Sequence, residues 1–197
     1  MIRQAVLLTL LLCCTLTAVA QSGAATSARG TLEVTLAYSA DRTNGVVGGC
    51  GCFWMNGGKA EANANFGRGL SAVAELTGEH TGSINSANES LSFVTYLFGP
   101  RYSVRNSTRF VPFVQFLVGG VHGFDALFPA RNGSTYAPDA FAFTAGGGLN
   151  IDLSRHFALR AFQADYMQTQ LPNGSNDRQN HLRLAAGIVL KLGRSGG

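Results

Sequence analysis

From Thr31 to Leu192 the chain alternates apolar and polar residues with a period of two, the mark of extended strands with two unlike faces. In the last run, "HLRLAAGIVLKLG", Leu182, Leu184, Ala186, Ile188, Leu190 and Leu192 share one face. His181, Arg183, Ala185, Gly187, Val189 and Lys191 share the other. The first run, "TLEVTLAYS", sets Leu32, Val34, Leu36 and Tyr38 against Glu33, Thr35 and Ala37. Runs two and three, "GGKAEANANF" and "LSAVAELTGEH", put Lys59, Glu61, Asn63 and Asn65, then Ser71, Val73, Glu75, Thr77 and Glu79, on the polar side. Run four, "SFVTYLFGPRYSV", opposes Val94, Tyr96, Phe98 and Tyr102 to Thr95, Gly99, Arg101 and Ser103. Run five, "FVPFVQFLVGGVH", is apolar on both sides apart from Gln115, which leaves its facing open. Run six, "AFAFTAGGGLNID", opposes Phe141, Phe143, Ala145, Leu149 and Ile151 to Thr144, Asn150 and Asp152. Run seven, "FALRAFQADYMQ", holds a conflict, because Arg160 and Asp165 have opposite parity. Gln163 and Asp165 join the polar set, and Arg160 is expected near a strand end with its stem reaching the interface. An α-helical period fits none of the eight runs.

The connections alternate strictly between short and long. "GRG", "RNST" and "LSRH" are tight turns, whereas "DRTNGVVGGCGC", "TGSINSANES", "GFDALFPARNGSTYAPD" and "TQLPNGSNDRQN" are long. In an up-and-down meander every long loop then lies at one end and every tight turn at the other, the layout of an outer-membrane barrel. Strands of about ten residues, tilted, suffice to cross a bilayer.

Composition decides which face is wet. Charged residues make up 13% of the chain, about half the ~25% usual for soluble domains. The polar face carries Thr, Ser, Ala, Gly and Asn with single charges of both signs, which suits a narrow interior better than a soluble surface rich in Lys and Glu. The large aliphatic and aromatic side chains then face lipid. Tyr38, Phe53, Trp54, Phe141 and Tyr166 form one expected girdle at the long-loop end, and Phe66, Tyr102 and Phe110 another at the tight turns. The expected fold is an all-β, eight-stranded, antiparallel up-and-down transmembrane β-barrel over residues 31–193.

Residues 1–20 read as a secretory signal peptide, with Arg3 before an apolar stretch and Ala18, Val19 and Ala20 at the cleavage site. Residues 21–30 form a small, polar leader, and residues 194–197 a tail. A net charge of +4 without basic blocks gives no sign of a nucleic-acid surface.

Together these features resemble the OmpA-like eight-stranded outer-membrane β-barrel family; "LFGPRYS" and "PFVQFLVGG" resemble its Gram-negative members. The resemblance implies a bacterial outer-membrane location and an assembly signal in the last strand, read by the barrel-assembly machinery. Gly187, Leu190 and Leu192 match that signal in outline, with Leu192 where Phe is usual. The cell-wall anchoring of the longer family members does not carry over.

The candidate chemistry is a lumen charge network of Glu33, Lys59, Glu61, Glu75, Arg101, Asp165, Arg183 and Lys191. If Phe66 opposes Leu70 across a three-residue turn, Glu61 faces Glu75 and Lys59 faces Thr77. Like charges directly opposed are unfavourable, so Lys59, Arg101 or Arg183 is expected to bridge them, or one Glu to stay protonated. Glu33 and Lys191 are expected to pair across the strands that close the barrel. Export to an oxidising compartment makes a Cys50–Cys52 disulfide the leading reading of the two remaining cysteines, although an i, i+2 bridge is strained; free or intermolecular thiols stay open. His80, His122 and His181 fall near the long-loop rim on strands that are not neighbours. No His precedes Ser by two residues, the spacing that would align base and nucleophile on one strand face, so no catalytic, metal or cofactor site is assigned. Arg68, Arg105, Arg109 and Arg155 sit in or beside the tight turns. The expected function is a monomeric outer-membrane barrel with a structural or surface-interaction role, a plugged lumen and external loops as binding surface. A small-solute or ion pore and a lipid-modifying enzyme are the alternatives. Outer-membrane lipids and lipopolysaccharide are the expected partners.

Overall fold

The computed structural model describes residues 31–44, 52–82, 90–130, 133–173 and 176–192. The signal peptide, the leader, Cys50 and the tail lie outside the described residues. The strands are β1 Leu32–Asn44, β2 Cys52–Gly67, β3 Leu70–Thr81, β4 Leu91–Ser103, β5 Phe110–Phe124, β6 Phe128–Ala130, β7 Gly133–Thr135, β8 Asp139–Asp152, β9 Phe157–Thr169 and β10 Gln179–Leu192. Eight of them close one antiparallel barrel in the order β1-β10-β9-β8-β5-β4-β3-β2. Strands β6 and β7 form a separate hairpin inside the long β5–β8 loop, an element the alternation did not indicate. Pairing of β1 with β10, from Leu32 opposite Leu192 to Thr43 opposite His181, removes the last free edge. The barrel strands are 12–16 residues long, longer than the runs suggested, because several continue toward the long loops.

The barrel is inverted relative to a soluble protein. Leu36, Leu184 and Phe98 are 50%, 41% and 64% exposed, while Glu61 and Arg183 are 2% and 0% exposed. The open facing of β5 resolves in favour of Gln115. It lies opposite Arg101 on β4 and points inward with Val111, Phe113, Leu117 and Val121. Phe110, Val114 and Phe116 point outward.

Two backbone irregularities decide the register. Glu61 does face Glu75, and Lys59 faces Thr77, but not through a three-residue turn. Gly67 pairs with Leu70 around the two-residue turn Arg68-Gly69, and a register shift between Asn65 and Gly67 restores the parity. Arg68 and Gly69 have φ of 54° and 82°, the left-handed pair of a type I′ hairpin whose twist matches the flanking strands. On β9 the partners of Gly187 and Ala185 are Arg160 and Gln163, and those of Asn150 and Leu149 are Arg160 and Phe162. One extra residue on β9 at Ala161 therefore forms a β-bulge against both neighbours. The bulge lets Arg160, Gln163 and Asp165 all point inward. Arg160 is thus a lumen residue and not the interfacial one its parity suggested.

Candidate functional site

The lumen is filled by ion pairs in its middle and by apolar side chains at its long-loop end. Glu61 on β2 is clamped by two arginines. Arg101 Nη1 and Nη2 donate to its Oε1 and Oε2 at 2.7 and 2.6 Å. Arg160 Nη1 and Nη2 donate to Oε2 and Oε1 at 2.9 and 3.1 Å. Bidentate geometry of this kind is the strongest a guanidinium makes. Phe113 lies under both arginines, its ring centre 4.3 Å from the Arg101 Cζ and 4.8 Å from the Arg160 Cζ, where the ring face attracts cations. Gln115 Oε1 accepts from Arg101, and Asn150 and Gln163 accept from Arg160 at 3.0 and 2.8 Å.

Glu75 is held by a different pair. Lys59 Nζ lies 3.0 Å from its Oε2 as an ion pair without hydrogen-bond alignment, and Arg183 Nη1 lies 3.2 Å from Oε1. Lys59 also reaches Asp165 at 3.3 Å, and Arg183 reaches Glu79 at 2.9 Å. No single cation spans Glu61 and Glu75; each carboxylate has its own two. The expected Glu33–Lys191 pair does not form either. The two face each other across the β1–β10 seam, yet Glu33 accepts from Arg105 at 2.7 Å and Asn63 at 3.0 Å. Lys191 turns to Asp152 at 2.6 Å on the tight-turn rim, outside the central network.

Asp41, Glu79 and Arg160 complete the buried lumen charges, with His181 buried beside them; Glu79 lies on the polar face that the alternation predicts, outside the eight-residue network expected from it. Asp41, within the stretch that the sequence marks as the first long loop, continues the inward parity of Thr35 and Ser39. Ser39 Oγ donates to Glu79 at 2.5 Å. His181 lies near the long-loop end as expected but is buried inside the barrel: its Nδ1 lies 2.7 Å from Asp41 Oδ2 and its Nε2 lies 3.1 Å from Thr169 Oγ1. Leu171 N–H donates to Gln179 Oε1 at 3.0 Å, and Gln179 Nε2 returns a bond to the Leu171 carbonyl at 2.9 Å. That two-way bond orients the amide. Thr169 spends its hydroxyl proton on Gln179 Oε1 at 2.9 Å, so toward His181 it can only accept. This relay ties the β9–β10 loop to the lumen charges.

Above the relay sits the cap. Met55, Leu91, Phe93, Leu97, Leu117, Val121 and Met167 from the strands pack with Ala126, Phe128 and Leu171 from the loops. Phe53 packs against this cluster, so it belongs to the cap and not to the outer girdle. The Phe93 ring stands edge-on to His181, with centroids 5.7 Å apart. Replacing Gln179 by Leu strands the buried Leu171 N–H and C=O, at about 1–3 kcal/mol per group. Limited proteolysis should then cut the β9–β10 loop several-fold faster while the barrel stays folded, with Gln179→Glu, which keeps an acceptor, restoring part of the protection.

Outside the barrel, His80 and Ser92 are opposed across β3 and β4, a juxtaposition that spacing along one strand could not reveal. His80 Nδ1 lies 2.7 Å from Ser92 Oγ, which donates to Asp125 Oδ2 at 2.6 Å. With its proton committed to the carboxylate, the hydroxyl accepts from His80, the reverse of the polarity a nucleophile and its base require. The chain fixes Asp125, whose φ is 65°. His122 pairs separately with Asp139 at 2.7 Å. Cys52 is exposed at the start of β2. An added Cβ at Gly187 would run into the Leu36 carbonyl, so this position in the proposed assembly signal needs glycine for the close approach of β1.

The same architecture occurs in solved structures. Neisserial surface protein A is 10% identical with a TM-score of 0.62, covering 82% of this chain and 97% of that one. Ail of Yersinia pestis is 15% identical with a TM-score of 0.57, covering 83% and 99%. OprG of Pseudomonas aeruginosa is 10% identical with a TM-score of 0.58, covering 84% and 97%. Identities this low show the shared fold alone. No curated protein matches the chain. The family model of the outer membrane protein beta-barrel domain matches residues 6–188. With most of its length matched and its eight strands closed around a polar interior, the chain belongs to the outer membrane protein beta-barrel domain family and is a bacterial outer-membrane protein.

Proposed function

We propose that the lumen is this protein's structural core and that its external loops do its work as a surface for binding another protein. The observation that carries this reading is the double clamp on Glu61, beneath an apolar cap that continues into the loops. Ions in transit would have to break buried charge pairs and then pass an apolar constriction, and either alone opposes conduction. Ail, which shares the fold, is an attachment invasion locus protein, and one structure of it holds the heparin analogue sucrose octasulfate. A polyanion suits the present loops poorly, because Asp125, Asp139 and Asp177 are all exposed there. Tyr136 and Leu127, 69% and 52% exposed, are instead the kind of apolar anchors that protein interfaces use.

Planar-bilayer recording tests the closed lumen. The wild-type barrel should give no steps above background, and neither should Glu75→Ala, because Lys59, Arg183 and Asp165 still fill the space. Regular unitary steps from the wild type would replace this reading with the pore.

A further inference from the structure

We propose that the tight-turn rim is a collar that selects anionic phospholipid headgroups from the periplasmic leaflet of the outer membrane. Each of the three short hairpin connections carries an exposed arginine: Arg68 between β2 and β3, Arg109 between β4 and β5, and Arg155 between β8 and β9. None of these three makes an ion pair among the described residues. The acids at this end are already engaged. Glu33 is buried against Arg105, and Asp152 is held by Lys191.

The height of the collar follows from its neighbours. Val104 and Leu153 lie in the turns themselves and are 47% and 63% exposed. Phe66 and Phe110 flank the arginines and are also exposed. Apolar side chains in a turn standing in open periplasm would gain nothing from exposure, whereas at the membrane boundary they bury in acyl chains. The turns therefore sit at the boundary, which brings the guanidiniums to the level of the lipid phosphates. Arginine is suited to that position, with an apolar stem and a planar fork that matches phosphate oxygens. The other end lacks this character. Its exposed arginines, Arg42 and Arg178, stand among the exposed carboxylates Asp125, Asp139 and Asp177, and Arg42 is stacked over Trp54. Among the described residues, arginine free of competing exposed carboxylates is thus confined to one rim and spaced around it, as selection of surrounding lipids requires.

The test reconstitutes the folded full-length barrel in phosphatidylcholine vesicles containing spin-labelled phosphatidylglycerol or spin-labelled phosphatidylcholine, and compares the motionally restricted fraction of each label. The wild type should prefer phosphatidylglycerol, by roughly fivefold for a headgroup held by one guanidinium. The preference should shrink at high ionic strength. The triple variant R68Q/R109Q/R155Q should fall to parity while keeping the heat-dependent gel mobility of a folded barrel. The control D125N/D139N/D177N at the opposite rim should keep the preference. Parity in the wild type, or an undiminished preference in the folded arginine variant, overturns the proposal.

Discussion

Glu61→Ala should destabilise the barrel by about 3–5 kcal/mol, the cost of removing one partner from a buried ion pair, and urea unfolding from lipid vesicles, followed by the fluorescence of the single Trp54, should show it. The effect is large because two cations lose one carboxylate. Arg101 and Arg160 each donate twice to Glu61 and both lie against Phe113. Without the carboxylate two buried guanidiniums face each other with only neutral amide oxygens left to accept from them. Glu75→Ala should cost clearly less. Its partners keep other anions, Lys59 having Asp165 and Arg183 having Glu79. Equal losses for the two variants would show that the lumen charges act as one diffuse pool and not as two separate clamps.

Leu184→Arg should cost about 2–4 kcal/mol in a bilayer, the range for a cation on the lipid face near the midplane. Leu184 lies near the middle of β10, opposite Ala40 and Ala164, and is 41% exposed. On a water-facing surface the same exposure would make the substitution nearly neutral. Leu182→Arg, nearer the long-loop end of the same face, should cost less because a long cation there can snorkel to the interface. The difference between the two, read from the same urea titrations, measures the depth of each position. A flat response along β10 would contradict the membrane-facing assignment of its leucines.

Together the two predictions separate what was legible in the chain from what was not. Alternation and composition together identified the lipid face, because a period of two assigns each side chain to a face once the strand is known, and the rarity of charge then says which face is wet. The opposition of Glu61 and Glu75 was also legible, since the parity of a hairpin constrains its register even when its turn is misjudged. The partners of those carboxylates were not legible. Arg101 and Arg160 come from strands far from Glu61 in the chain, and their meeting depends on closure, shear and the bulge at Ala161. The parity conflict in "FALRAFQADYMQ" was itself the trace of that bulge, and two inward charges five residues apart can both be satisfied only by one extra residue between them.

The strands and their alternating long and short connections can be read from the chain because they depend on the local geometry of an extended backbone, and the scarcity of charge excludes a soluble surface. The charge partners, the inward facing of Gln115 on β5, the His181 relay and the apolar cap emerge only with the closed barrel. Each of these requires side chains from non-adjacent strands and loops to converge across the lumen, and nothing in a one-dimensional pattern encodes the distance across a closed barrel.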